Sequence, residues 1–258
     1  MPAPVASAQD ACRLALQFGL DVSGSVSAAE YDLQLQGLAA ALEDAEVRAA
    51  LLAMPQVPVA LSAYEWSGRD AQRLLADWQL IRDEADLSMF ANQVRGATRA
   101  VMGVSTGLGT ALLYGQARFA NAPGCLRRVI DISGDGKSND GPRPQDVPAD
   151  TLDGTLVNAL VIGPDQANAI GAQATAITEL IAYFQAYVIR GPEAFVEVAV
   201  GYDDYAAAMK RKLLKELDVI VLGQARPPMR PSTPGKASDR HPPRHERFVA
   251  GPVPVSSP

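Results

Sequence analysis

Short apolar runs and segments of helical period alternate along this chain from residue 12 to about residue 220. The runs at 13–20, 57–64, 74–81, 128–133, 156–162 and 195–200 have the length and aliphatic content of strands. Between them, residues 28–42 (continuing towards 54), 84–94, 107–120, 167–187 and 203–217 place apolar residues at helical spacing. Alternation of this kind predicts an α/β fold: an open, mostly parallel six-stranded sheet with helices on both faces, Rossmann-like in its winding. The run at 74–81 follows the run at 57–64 too closely for a crossover, so it is expected as an antiparallel edge strand. No internal repeat is visible.

After Gly223 the pattern stops. Pro227, Pro228, Pro231, Pro234, Pro242, Pro243, Pro252, Pro254 and Pro258 are spread among polar and basic residues. Such a segment cannot bury enough apolar surface to offset its ordering entropy. The expected organisation is therefore a disordered start (1–10), one domain (11–222) and a disordered, proline-rich basic tail (223–258). The net charge of −6 disfavours general nucleic-acid binding. From Gln224 onward six basic residues face two acidic ones, so the tail carries +4 and the remainder −10. The only histidines, His241 and His245, fall in that tail, so the domain has no imidazole for acid–base work or metal ligation. Two cysteines, Cys12 and Cys125, are too few for a Cys-based zinc site. No apolar run approaches the length of a bilayer-spanning helix. Ala6-x-Ala8 before Gln9 has the look of the end of a secretory signal whose charged and apolar part is missing or truncated. This favours a periplasmic or secreted location, with the cytoplasm as the alternative.

Chemistry concentrates in Gly19-Leu20-Asp21-Val22-Ser23-Gly24-Ser25-Val26-Ser27. An apolar run delivers Asp21, Ser23 and Ser25 onto a turn, and Ser27 with Glu30 forms a capping box that starts a helix. One carboxylate and two neutral hydroxyls facing one point suit a hard divalent cation, Mg²⁺ above all, with Mn²⁺ or Ca²⁺ as substitutes. A loop of this kind supplies only part of a coordination shell, so further oxygen ligands are expected elsewhere. Thr106, in Thr106-x-x-Gly109 ahead of a helix, and Asp135, in Ser133-Gly134-Asp135-Gly136 after an apolar strand, are the candidates.

Together the three segments resemble, in order and spacing, the metal-ion-dependent adhesion site of von Willebrand factor type A domains. The resemblance implies a metal set of Asp21, Ser23, Ser25, Thr106 and Asp135, and a neighbouring placement of the strands that end in the two aspartates. In an open α/β sheet the ligand crevice lies outside the carboxyl ends of the strands, where the strand order reverses. Cys12 lies nine residues before Asp21 and Cys125 ten before Asp135. Adjacent parallel strands in register would bring both cysteines together at the opposite end of the sheet, which predicts a Cys12–Cys125 disulfide in an oxidising compartment. The segments Glu65-Trp66-Ser67-Gly68, Arg128 to Gly136, Val188 to Val196 and Lys210-Arg211-Lys212-Leu213-Leu214 are similar to an uncharacterised bacterial family with a von Willebrand type A-like fold. That family implies fold, metal site and export, and no established activity.

Rival chemistries lack parts. Gly103-Val104-Ser105-Thr106-Gly107 fits an esterase elbow, but no histidine follows it within the domain. Gly136-Lys137-Ser138 lacks the glycine of a phosphate loop, since Asp131 stands there. Asp131-x-Ser133-x-Asp135-Gly136 opens like an EF-hand, yet its twelfth position is Pro142. Asp131, inside an apolar strand, calls for a partner, because an unpaired buried carboxylate is costly. Glu65 and Trp66 are expected near the crevice, with Trp66 in a packing role. The function expected from these residues is a metal-dependent binding module, not an enzyme. It would capture an Asp or Glu of a partner protein. A metal-dependent hydrolase and a structural domain without metal-dependent binding are the alternatives.

Overall fold

The computed structural model describes residues 12–100, 102–164 and 172–223. Six strands form one sheet: β1 (Leu14–Asp21), β2 (Val59–Trp66), β3 (Gln72–Ile81), β4 (Arg128–Gly134), β5 (Thr155–Gly163) and β6 (Val196–Val200). Their order is β3-β2-β1-β4-β5-β6, all pairings parallel except the antiparallel β2–β3 edge. The expected six-stranded α/β sheet is therefore the observed one, with strand ends moved by one or two residues. β1 lies centrally, with β2 wound to one side of it and β4 to the other. The order thus reverses at β1, and the crevice of such a sheet opens beyond the carboxyl ends of β1 and β4.

Side-chain alternation divides the core into two faces. Leu14, Leu16, Phe18 and Leu20 of β1 pack beneath α1 (Ala28–Glu43), α2 (Ala45–Leu52), α3 (Glu84–Arg95) and α6 (Tyr205–Gly223). On the other face Ala15, Tyr64, Trp66, Ile130 and Ile132 meet α4 (Leu108–Arg118) and the segment that follows α5 (Ala172–Tyr183), through Phe184 and Val188. Two expected helices differ. The single helix from residue 28 towards 54 is interrupted at Asp44, whose backbone leaves the helical region (φ −57°, ψ 141°) and whose carboxylate accepts the Glu46 N–H at 3.0 Å. An aspartate that caps a new helix ends the old one. The helix expected at 167–187 begins outside the described residues; α5 runs to Tyr183 and closes in a π-turn, Phe184–Val188.

Cys12 and Cys125 form the disulfide, with Cα atoms 4.4 Å apart, and the two residues also pair as a parallel bridge at the amino ends of β1 and β4. Among the described residues no helix is long and apolar enough to cross a membrane. The expected start (1–10) and the tail beyond Gly223 lie outside the described residues.

Candidate metal centre

β1 ends at Asp21, and its register with β2 runs on for one more bond, Val22 N–H to the Trp66 carbonyl at 2.9 Å. The chain then turns, Val26 N–H reaching back to the Ser23 carbonyl at 3.1 Å. The capping box closes as expected: Ser27 Oγ accepts from Glu30 N–H at 3.3 Å and Glu30 Oε2 accepts from Ser27 N–H at 2.7 Å. This fixes where α1 begins, and with it the shape of the loop between.

Four of the five expected side chains are joined by contacts. Asp21 Oδ1 accepts the Ser23 N–H at 2.8 Å. Ser23 Oγ and Ser25 Oγ lie 3.3 Å apart, and Ser25 Oγ donates to Asp135 Oδ1 at 2.6 Å. Residues 110 positions apart in sequence therefore touch, because β1 and β4 are neighbours. Thr106 reaches the group by another route. Its N–H donates to Asn139 Oδ1 at 2.8 Å, and its carbonyl accepts from the Asn139 N–H at 2.9 Å, which staples it to the loop after Asp135. Its hydroxyl lies beside Gly136, 3.9 Å from where a Cβ there would sit. Gly109, the glycine of Thr-x-x-Gly, packs so tightly on the Pro142 carbonyl that a Cβ would collide with it, so the same loop needs that glycine for its close approach.

The electrostatics are unbalanced. Asp21 is fully buried, and its Oδ2 has no hydrogen-bond partner. Burial, and next the charge of Asp135, push the Asp21 carboxyl up to about 7. Burial also raises Asp135, against hydrogen bonds from Ser25 and Tyr202 that pull it down. Among the described residues neither aspartate has an ion pair, and no group of three or more His, Cys, Asp or Glu gathers anywhere as a metal cluster. A cation at this point would depend on hydroxyls for the rest of its donors. A buried orphan carboxylate oxygen, a second carboxylate and two hydroxyls in mutual contact fit a hard cation better than any protein group present.

Several supporting residues escape a reading of the sequence. Gln34 Nε2 of α1 donates to the Asp21 carbonyl at 2.9 Å. Arg99 donates to the carbonyls of Val22 and Ser23 at 3.1 and 3.4 Å while its guanidinium lies over the Tyr31 ring. Tyr202 donates to Asp135 Oδ2 at 3.4 Å. They arrive through tertiary packing from positions with no local signature; Asn139, four residues past Asp135, was the one within reach of the motif. Glu65 is corrected in the other direction. It is buried on the α1 side of the sheet, bound by Tyr31 Oη at 2.9 Å and Arg73 Nε at 2.8 Å, and does not face the crevice. Trp66 is fully buried in the core behind Gly134. A cavity of about 560 Å³ opens beside Asp135, lined among others by Glu30, Lys137, Ile162, Leu180 and Tyr202.

Residues 11–221 match the family described as "Protein of unknown function (DUF1194)", and the chain belongs to that family. No curated protein sequence matches it. Solved structures of similar fold include proximal thread matrix protein 1 of the mussel byssus, with a TM-score of 0.54 and 14% identity over 81% of this chain and 47% of that one. A further structure of the mussel protein, with a zinc-occupied MIDAS motif, gives a TM-score of 0.51 at 13% identity over 81% and 47%. The pilus adhesin SpaC from Lactobacillus rhamnosus GG, in its open conformation, gives 0.53 at 12% identity over 82% and 30%. The PilB minor pilin from Streptococcus sanguinis gives 0.54 at 9% identity over 83% and 64%. The chain thus spans about half of the mussel protein and under a third of the adhesin. At these identities the likeness shows the fold, which is the von Willebrand type A-like one.

Proposed function

We propose that this member of the family is a metal-dependent protein-binding module. Asp21, Ser23, Ser25, Thr106 and Asp135 hold a divalent cation, Mg²⁺ or in its place Mn²⁺ or Ca²⁺, which captures an Asp or Glu of a partner protein. The observation that carries the reading is the buried, partnerless Asp21 Oδ2 beside a second carboxylate and two touching hydroxyls, with no Lys or Arg among the described residues in ion-pair reach to balance them. The zinc-occupied motif of the mussel protein on the same fold supports it. When bound, the cation offers an open, electrophilic coordination position to an incoming carboxylate.

The chain's own residues do the rest. Asp21 and Asp135 supply charge, directly or through water. Ser23, Ser25 and Thr106 supply neutral oxygens, so with few carboxylates bound directly the divalent ion keeps positive character. Gln34 and Arg99 hold the Asp21 loop by its carbonyls. The cavity beside Asp135 receives the part of the partner that flanks its acidic residue. A hydrolytic role is disfavoured by the neighbours available as bases. Glu30 is occupied by the capping box, and burial with the charges of Asp135 and Asp21 pushes the Tyr202 hydroxyl far up. We further propose residues 11–222 as the folded unit, residues 223–258 as a basic tether, and an extracytoplasmic setting, which the disulfide supports.

The test is capture of partners from the native extracytoplasmic fraction with and without chelator, alongside calorimetric titration of Mg²⁺ and Mn²⁺. Binding of metal and partner should both vanish in Asp21→Ala. Partner capture that survives both chelation and this substitution sinks the proposal.

A further inference from the structure

At the pole opposite Asp21 and Asp135, where β4 and β5 begin, a cavity of about 600 Å³ is lined by Arg127, Arg128 and Arg190 together with Leu126, Leu152 and Leu156. None of the three arginines has an ion pair among the described residues. Arg127 Nη1 is buried without any hydrogen-bond partner. Arg190 donates only to the carbonyls of Ile189 and Pro144, at 2.9 and 2.8 Å, and burial lowers its basicity. Arg128 lies over the Phe119 ring. Two acids, Asp153 and Glu193, also border the cavity, yet both are exposed and neither pairs with an arginine. A guanidinium that loses water and gains no partner is costly, and its planar fork matches an oxyanion.

The walls are held before any ligand arrives. Leu126 N–H bonds the Cys12 carbonyl at 2.9 Å, next to the disulfide, and Ala15 N–H bonds the Arg127 carbonyl at 2.9 Å. Arg190 exchanges both backbone hydrogen bonds with Val157, at 2.9 and 3.1 Å. Left-handed backbone collects here too. Glu193, with φ 68°, is the only non-glycine residue of positive φ among those described, and Gly154 and Gly191 on the same wall have φ 70° and 96°.

We infer that this cavity is a second binding site, for a small organic carboxylate with an apolar body. The carboxylate meets the arginines and the body lies on the leucines, in a volume ordinary for small-molecule sites. The site is independent of the metal centre. The test is calorimetric titration of the full chain with phenylacetate, its neutral isostere phenylacetamide, and inorganic phosphate. Phenylacetate should bind saturably with one site per chain, and phenylacetamide at least tenfold more weakly. Arg127→Ala and the surface variant Arg128→Glu should each lower phenylacetate affinity at least tenfold, while Asp135→Asn leaves it unchanged. The proposal is overturned by absence of saturable phenylacetate binding, by equal binding of the amide, by tighter binding of phosphate than of phenylacetate, or by wild-type affinity in Arg128→Glu when that variant is folded by circular dichroism.

Discussion

Asp131 and Asp135 stand four residues apart, one inside β4 and one just past its end, and they differ in what balances their charge. Asp131 is fully buried against α6, with Lys212 Nζ 2.7 Å from its Oδ2. The same ammonium lies 2.7 Å from Glu216 Oε1, which also accepts from Asn158 Nδ2 at 2.7 Å. Burial lowers the Lys212 ammonium, but Asp131 and Glu216 outweigh it and hold the lysine charged. Burial raises Asp131, opposed by Lys212 and reinforced by Glu216. Asp135 and its neighbour Asp21 are likewise raised, yet among the described residues they have no ammonium or guanidinium in ion-pair reach. The core cluster contains its counter-ion. The rim cluster has hydroxyls where the counter-ion would be. The contrast supports the proposal that the rim takes its balancing charge from outside.

The largest expected effect tests the core half of the comparison. Lys212→Met leaves Asp131 and Glu216 buried without a cation and should cost about 3–5 kcal/mol in denaturant unfolding, as breaking a buried pair does. A loss below about 1 kcal/mol would mean that the lysine is not the counter-ion. At the rim, Asp21→Asn should leave metal-free stability unchanged or higher, because it removes an unbalanced charge. It should also abolish the stabilisation by Mg²⁺, worth about 2.7 kcal/mol at a hundredfold excess over Kd. Thermal melts with and without chelator measure both.

Acidity sharpens the same contrast. Asp21 is held at about 7, chiefly by burial and then by Asp135. A carboxyl raised on folding contributes stability that is full below its unfolded value of about 3.9 and is lost as pH rises through the folded value. Chelated protein should therefore lose on the order of 3 kcal/mol between about pH 4 and about pH 7. Saturating Mg²⁺ should flatten that slope, since protons and metal compete for the same oxygens. Equal slopes with and without metal would show that the cation binds elsewhere. The smallest effect is that of Tyr202→Phe, which removes one 3.4 Å hydrogen bond to Asp135. It should change stability by less than about 1 kcal/mol and Mg²⁺ affinity by a few-fold in calorimetry.

What the sequence discloses follows from how local each signal is. Strands were legible because both faces of the sheet are covered, so 13–20 and 128–133 read as mostly apolar runs, broken only at Arg13, Gln17, Arg128, Asp131 and Ser133. Asp21, Ser23 and Ser25 were legible because one turn carries all three. Asp44 was within reach as well, being a capping residue in mid-helix, but the apolar period runs on across it. Lys212 and Glu216 were not: four residues apart on a helix they look like a solvated pair, and only the packing of α6 over β4 and β5 buries them. Arg99 and Tyr202 were equally hidden, since their partners are carbonyls and a carboxylate far away in sequence.

The covalent link at the amino ends of β1 and β4 determines how the domain bears a load. A pull entering through residue 12 crosses to Cys125 and is shared by the two innermost strands before any rung between them is stretched. Peeling of β1 from one end, the easy way to unravel a sheet, is closed off.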